Sequence, residues 1–133
     1  MAFNVDMRAA AVRHLQAAEI LNKGPRRDVA GYLYGLAAEC AVKALMSGAG
    51  FWSRRTLSRR DDPFYAHFPE LRTLVIDSPA LRRSAPLMNL LSPNSFMNNW
   101  SIDMRYSEAR QVRTDWVDRW AIQAREAVGK IGT

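Results

Sequence analysis

The chain reads as all-α: a compact bundle of four to five helices, forming one domain over residues 1–133. Three observations predict this. Apolar residues recur at spacings of three and four in several segments, the period of a helix with one buried face. No segment sustains the two-residue alternation of a strand, and no internal repeat is visible. Apolar residues make up 48% of a 133-residue chain, which is the size of a single domain and enough for a real core.

The first helix is expected from about Asp6 to Asn22. Asp6 is a suitable N-cap, Gly24-Pro25 ends the run, and Ala11, Leu15, Ala18 and Leu21 share a face. The second runs from about Arg26 to Ser47, with Gly48 as its stop. Val29, Leu33, Leu36, Cys40 and Ala44 recur at helical spacing there. Ala30, Gly31, Ala37, Ala38 and Ala41 add a narrow strip that lets another helix backbone approach closely, so this is the expected centre of the bundle. Residues 48–67, GAGFWSRRTLSRRDDPFYAH, read as a long loop. A third helix opens at Phe68-Pro69, turns Leu71, Leu74 and Val75 inward, and breaks near Ser78-Pro79. Ala80 to Leu91 is expected to be helical in pieces, interrupted by Pro86. Residues 92–106 are rich in turn formers. The last helix is expected to start near Ser107 as N-cap, with Glu108 in its first turn and Val112, Trp116, Trp120, Ala124 and Ala127 as its buried stripe.

Charge narrows the partners. There are 19 basic and 13 acidic side chains, a formal net charge of +6, and 16 of the basic residues are Arg. Guanidinium is planar, always charged and suited to phosphate, so a polyanion such as nucleic acid is one expectation; solubility and genome composition explain the same excess equally well. The single cysteine, Cys40, excludes an intrachain disulfide and a multi-cysteine metal site. With two His and no close His/Asp/Glu cluster, no metal or other cofactor is expected. The N-terminus lacks the apolar stretch of a signal peptide, and no apolar run is expected to cross a bilayer, so the expectation is a cytoplasmic protein without a membrane role.

The stretch GYLYGLAAECAVKAL, residues 31–45, poses a question about chemistry. Tyr32, Leu36, Glu39 and Lys43 fall along one stripe. Glu four residues before Lys is a common solvated pair, worth roughly 0.2–0.5 kcal/mol. Here small apolar residues flank it on both sides, which points to partial burial, and a partly buried acid needs partners. Candidates stand just before two expected helix starts: His67 in one case, and Trp100, Arg105 and Tyr106 in the other. If both starts lie at one end of the bundle, Arg105 pairs with Glu39 and Tyr106 supplies a hydroxyl. The alternative is that Arg105 only clamps helices and His67 only caps. In the loop, Arg54, Arg55, Arg59 and Arg60 are interleaved with Trp52, Phe64 and Tyr65; they suit either phosphates and unstacked bases or the acids of a partner subunit.

In order and spacing, YLYGLAAECAVKAL, then HFPEL, then WSIDMRYSE before a long final helix, the chain resembles the HEPN domain superfamily from about Arg8 to Val128. The resemblance implies a four- to five-helix bundle that often forms homodimers. It implies association with RNA or nucleotides, and roles as ribonuclease toxins or as partners of a nucleotidyltransferase in bacterial toxin–antitoxin and defence systems. Catalytic members carry an Arg, four to six intervening residues and a His near the start of a late helix. Here the matching Arg is Arg105, and positions 110–112 hold Arg110, Gln111 and Val112. Arg8 with His14 and Arg60 with His67 meet the spacing, but in a first helix and in a loop. Cleavage by acid–base chemistry needs a proton carrier near neutral pH, usually His, so the ordinary nuclease site is not expected. Three readings follow: a catalytically degenerate RNA- or nucleotide-binding domain, a ribonuclease with a variant His67/Arg105 site, and a purely structural dimerisation module.

Overall fold

The structure, a computed structural model, describes residues 3–51 and 63–131. Among these there is no strand, and there are five α-helices: α1 Met7–Asn22, α2 Arg27–Gly48, α3 Glu70–Ile76, α4 Ala85–Leu91 and α5 Thr114–Gly129, with one 3₁₀ turn before α3, one before α4 and two before α5. The all-α bundle expected from the periodicity is the observed fold.

α1 and α2 form an antiparallel hairpin. Asp6 caps α1 by accepting the Ala9 N–H at 2.9 Å, and after the four residues 23–26 the chain re-enters helix at Arg27. α2 is the central element, packed most extensively on α1 and then on α5. Its closed face is the small-residue strip: Ala30, Ala37, Ala38 and Ala41 are completely buried, together with Tyr34, Val42 and Met46. The larger residues Leu33, Leu36 and Cys40 form half-buried shoulders, and Val29 is exposed. α2 also has the length and apolar composition of a membrane span, contrary to the expectation from the sequence; 61% of that window is buried inside the bundle.

The strip does more than admit a helix backbone. A Cβ built on Gly35 would lie 1.9 Å from Cε2 and Nε1 of Trp100, so the indole rests directly on the α2 backbone. Its Nε1–H donates to the Gly31 carbonyl at 3.1 Å. Tyr32 stacks on this indole (6.1 Å between centroids) and Phe68 meets it edge-on (6.3 Å), with Phe96 edge-on to Phe68 in turn. The turn that delivers Trp100 uses left-handed backbone at Met97 (φ 53°) and Asn99 (φ 71°). Asn tolerates that region; Met97 does not ordinarily, and it is held there by burial and by its N–H donating to Gln123 Oε1 at 2.8 Å. Trp120 Nε1–H donates to the Asn98 carbonyl at 2.9 Å, so α5 fixes the turn from the other side.

Several boundaries depart from the sequence expectation. Gly48 lies within α2, and the left-handed glycine after the helix is Gly50 (φ 85°). α3 is shorter than expected and Leu74 is exposed. Pro86 begins a helix instead of interrupting one: it sits in the first turn of α4, where its missing N–H costs nothing, and Ser84 accepts the Leu87 N–H. Arg72 from α3 closes the other end of α4 by donating to the Leu91 carbonyl at 2.6 Å and the Ser92 carbonyl at 3.0 Å. α5 starts at Thr114, not near Ser107. Ser107 and Glu108 are extended and separate two 3₁₀ turns, and the Ser107 hydroxyl donates to the Met104 carbonyl, closing the turn before it. Val112 therefore precedes the helix. Val117, Trp120, Ala121, Ala124 and Ala127 are its buried face.

Candidate functional site

Glu39 and Lys43 are not a solvated stripe. They are the two buried charged residues among those described, 2% and 5% exposed. The segment leading into α3 closes over Glu39. Both oxygens of Glu39 are occupied: Oε1 is 2.8 Å from His67 Nδ1, and Oε2 accepts the Phe68 N–H at 2.7 Å. One carboxylate thus fixes both an imidazole and the backbone that leads into α3. The His67 carbonyl accepts the Leu71 N–H at 2.8 Å, tying the same residue into the first turn of α3. With Nδ1 turned to the carboxylate, the His67 side chain is still 40% exposed. Beside the pair, burial pushes the Cys40 thiol upward, while the Lys43 cation and the Glu39 anion pull it in opposite directions.

Arg105 is elsewhere. It lines a groove of ≈ 320 Å³ with Arg26, Asp28, Val29, Tyr32, Met104, Ser107 and Val112, beside the first turns of α2. Glu39 lies seven residues beyond Tyr32, about 10 Å along the helix axis. The expected Arg105–Glu39 pair is therefore replaced by His67–Glu39, and the expected shared ionic pocket is two separate places on α2. The reason is the position of the last helix entrance: the 3₁₀ turn that holds Arg105 lies over the start of α2, well before α5 begins.

Within the groove Arg26 is paired to Asp28 at 2.6 Å. Arg105 stands 4.9 Å over the Tyr106 ring, and Tyr106 is 79% exposed, so it lies open at the surface instead of supplying a hydroxyl to a shared pocket. Tyr32 lines the groove, and its ring stacks on Trp100. Trp100, expected as a contact residue, is 2% exposed and belongs to the core. Arg54, Arg55, Arg59 and Arg60 lie outside the described residues, as does Trp52.

Sequence reading missed one polar cluster. Glu19 of α1 accepts from Arg125 Nη2 of α5 and from the Tyr34 hydroxyl of α2, each at 2.8 Å, so one carboxylate joins all three long helices. The Arg125 hydrogen bond holds the Glu19 carboxyl below its usual range. Burial, reinforced by the Glu19 hydrogen bond, pushes the Tyr34 hydroxyl up to about 12. The one signal was Tyr34 itself, a hydroxyl set in the middle of an alanine strip. Arg27 also reaches α5, pairing with Asp118.

No protein-family model, curated protein or solved structure matches the chain.

Proposed function

We propose that the chain is a HEPN-like helical domain that binds the phosphate of an RNA or a nucleotide and does not cleave it. On this reading it acts as the helical partner of a nucleotidyltransferase in a bacterial toxin–antitoxin or defence system, and it works as a homodimer in the cytoplasm. The groove beside Arg105 carries the reading. Two arginines, Arg26 and Arg105, line one recess of ≈ 320 Å³ together with an aromatic residue, Tyr32. Guanidinium meets phosphate with paired donors, and an aromatic wall accepts an unstacked base. Arg105 has only an aromatic ring as its close partner among the described residues, which leaves its donors for an anion. The net charge of +6 draws polyanions to the whole surface.

A second reading, a ribonuclease using His67 with Arg105, draws support from the Glu39 carboxylate that orients the imidazole. It needs both residues on one phosphodiester, and their separation along α2 weighs against it.

The test is fluorescence anisotropy with a labelled single-stranded RNA at several salt concentrations, with the RNA recovered intact or cut at the end. The wild type binds, binding weakens with salt, and the RNA stays intact. Arg105→Ala weakens binding and lowers the slope of log K against log salt by about 1, while leaving the melting temperature unchanged. Wild-type indifference to RNA and mononucleotides overturns the proposal. Loss of fold in Arg105→Ala favours the purely structural reading, and cut RNA that His67→Ala spares favours the nuclease.

A further inference from the structure

We propose that His67 is a phosphoryl-acceptor site, modified at Nε2 by an anionic phosphoryl donor, with Glu39 as its positioning residue. The inference stands apart from the Arg105 groove and does not depend on it.

Nucleophilic attack by imidazole needs a lone pair on one nitrogen and a proton on the other. Glu39 sets that arrangement. Its Oε1 lies 2.8 Å from Nδ1; an ionised carboxylate can only accept, so this contact places a proton on Nδ1 and, in the neutral ring, the lone pair on Nε2. The ring cannot swing away easily, because the other oxygen of the same carboxylate takes the Phe68 N–H at 2.7 Å and fixes the backbone beneath it. Glu39 is 2% exposed and so acts through little intervening water, while the His67 side chain is 40% exposed and reachable by a donor. When Nε2 bonds to phosphorus the ring becomes an imidazolium, and the buried anion beside Nδ1 offsets that charge as it develops. The chain has only two histidines. His14 has Arg13 beside it and no carboxylate hydrogen bond among the described residues, so it is an internal control. The basic chain favours an anionic donor.

With phosphoramidate as donor the step balances without a further reactant. The Nε2–P bond forms, the donor's P–N bond breaks, and its protonated nitrogen leaves as ammonia. The ring keeps its Nδ1 proton.

The experiment incubates the full chain with phosphoramidate and follows each histidine by mass spectrometry under alkaline handling, since phosphohistidine is acid-labile. The expected result is one added phosphoryl group, at His67 and not at His14. Glu39→Gln keeps a hydrogen-bond acceptor for the Phe68 N–H but removes the anion. It is expected to slow His67 phosphorylation by roughly ten- to a hundredfold, the scale of a lost charge-assisted hydrogen bond. Nitrogen-resolved NMR of the His67 ring is expected to show the Nδ1–H tautomer in the wild type and its loss in Glu39→Gln, a change that a merely structural role for Glu39 would not produce. Equal labelling of both histidines, no labelling of His67 in the folded wild type, or an Nε2–H tautomer overturns the proposal. Because the tautomer and the two-histidine comparison are read on the wild type, they decide the question even if Glu39→Gln fails to fold.

Discussion

Gly35→Ala is the sharpest test of how the site is built. In an isolated helix this change stabilises, by about 1 kcal/mol, because Gly is the weaker helix former. In this protein the added methyl would lie 1.9 Å from two ring atoms of Trp100. The indole has nowhere to retreat: Tyr32 stacks along it, Phe68 meets it edge-on, and Nε1–H is bound to Gly31. Expelling a buried Trp costs about 3–5 kcal/mol by analogy with Trp→Ala truncations. The net expectation is a loss of about 2–4 kcal/mol, or roughly 10 °C in melting temperature for a domain of this size. Thermal and urea unfolding followed by circular dichroism measure it, and tryptophan fluorescence should shift red as the indole meets water. Gly48→Ala is the control, since nothing lies within 4 Å of its added Cβ; it is expected to be neutral or stabilising by up to about 1 kcal/mol. If Gly35→Ala behaves like Gly48→Ala, Trp100 does not rest on α2 and the aromatic cluster described here is wrong.

Two further predictions concern pH. The Glu19 carboxyl is lowered in the folded state, chiefly by Arg125. Its stabilisation is complete above the ordinary carboxylate range and is lost as pH falls through the lower folded value. The stability gap between wild type and Glu19→Gln should therefore be widest near neutrality and close as pH falls below the ordinary carboxylate range; a gap that stays constant with pH refutes the assignment. Tyr34 is raised from 10.0 to about 12, so its contribution is present below its unfolded value and disappears as pH climbs toward the folded one. In an ultraviolet phenolate titration, one of the four tyrosines should ionise late, and Tyr34→Phe should remove that late phase. Retention of the late phase in the variant contradicts the Glu19–Tyr34 contact.

The helices with strong local signals were legible. Asp6 and Gly24-Pro25 bracket α1 because a cap and a breaker act on neighbouring backbone alone. α2 was legible in extent, and its small-residue strip was legible as the closely packed face; the stripe of larger residues proved only half-buried. Periodicity was counted on large residues, Val29, Leu33 and Leu36, whereas the face pressed against neighbouring elements is the one whose side chains are small enough to allow it. The stretch before α5 misled for a related reason. Ser107 has the chemistry of an N-cap, and that same hydroxyl serves a turn that ends at Tyr106. Local chemistry cannot say which neighbour a Ser will cap.

The site was legible in its members and not in its pairing. Burial of Glu39 and Lys43 followed from their small neighbours, and a buried acid had to find donors. Arg105 looked the stronger partner by charge, but charge is long-ranged and unspecific, whereas the choice was made by backbone. The Phe68 N–H sits on the Glu39 carboxylate, and whatever side chain precedes it in the chain is brought there with it. That side chain is His67, so the imidazole pairs with the acid because of the segment it belongs to. Arg105 is held at the other end of the Tyr32–Trp100 stack by an equally local cause, the 3₁₀ turn after Trp100. Trp100 thus stands between two polar places on one helix. Its fit on Gly35 holds the aromatic wall that keeps them apart, and a variant that loosens it should disturb the imidazole and the groove together.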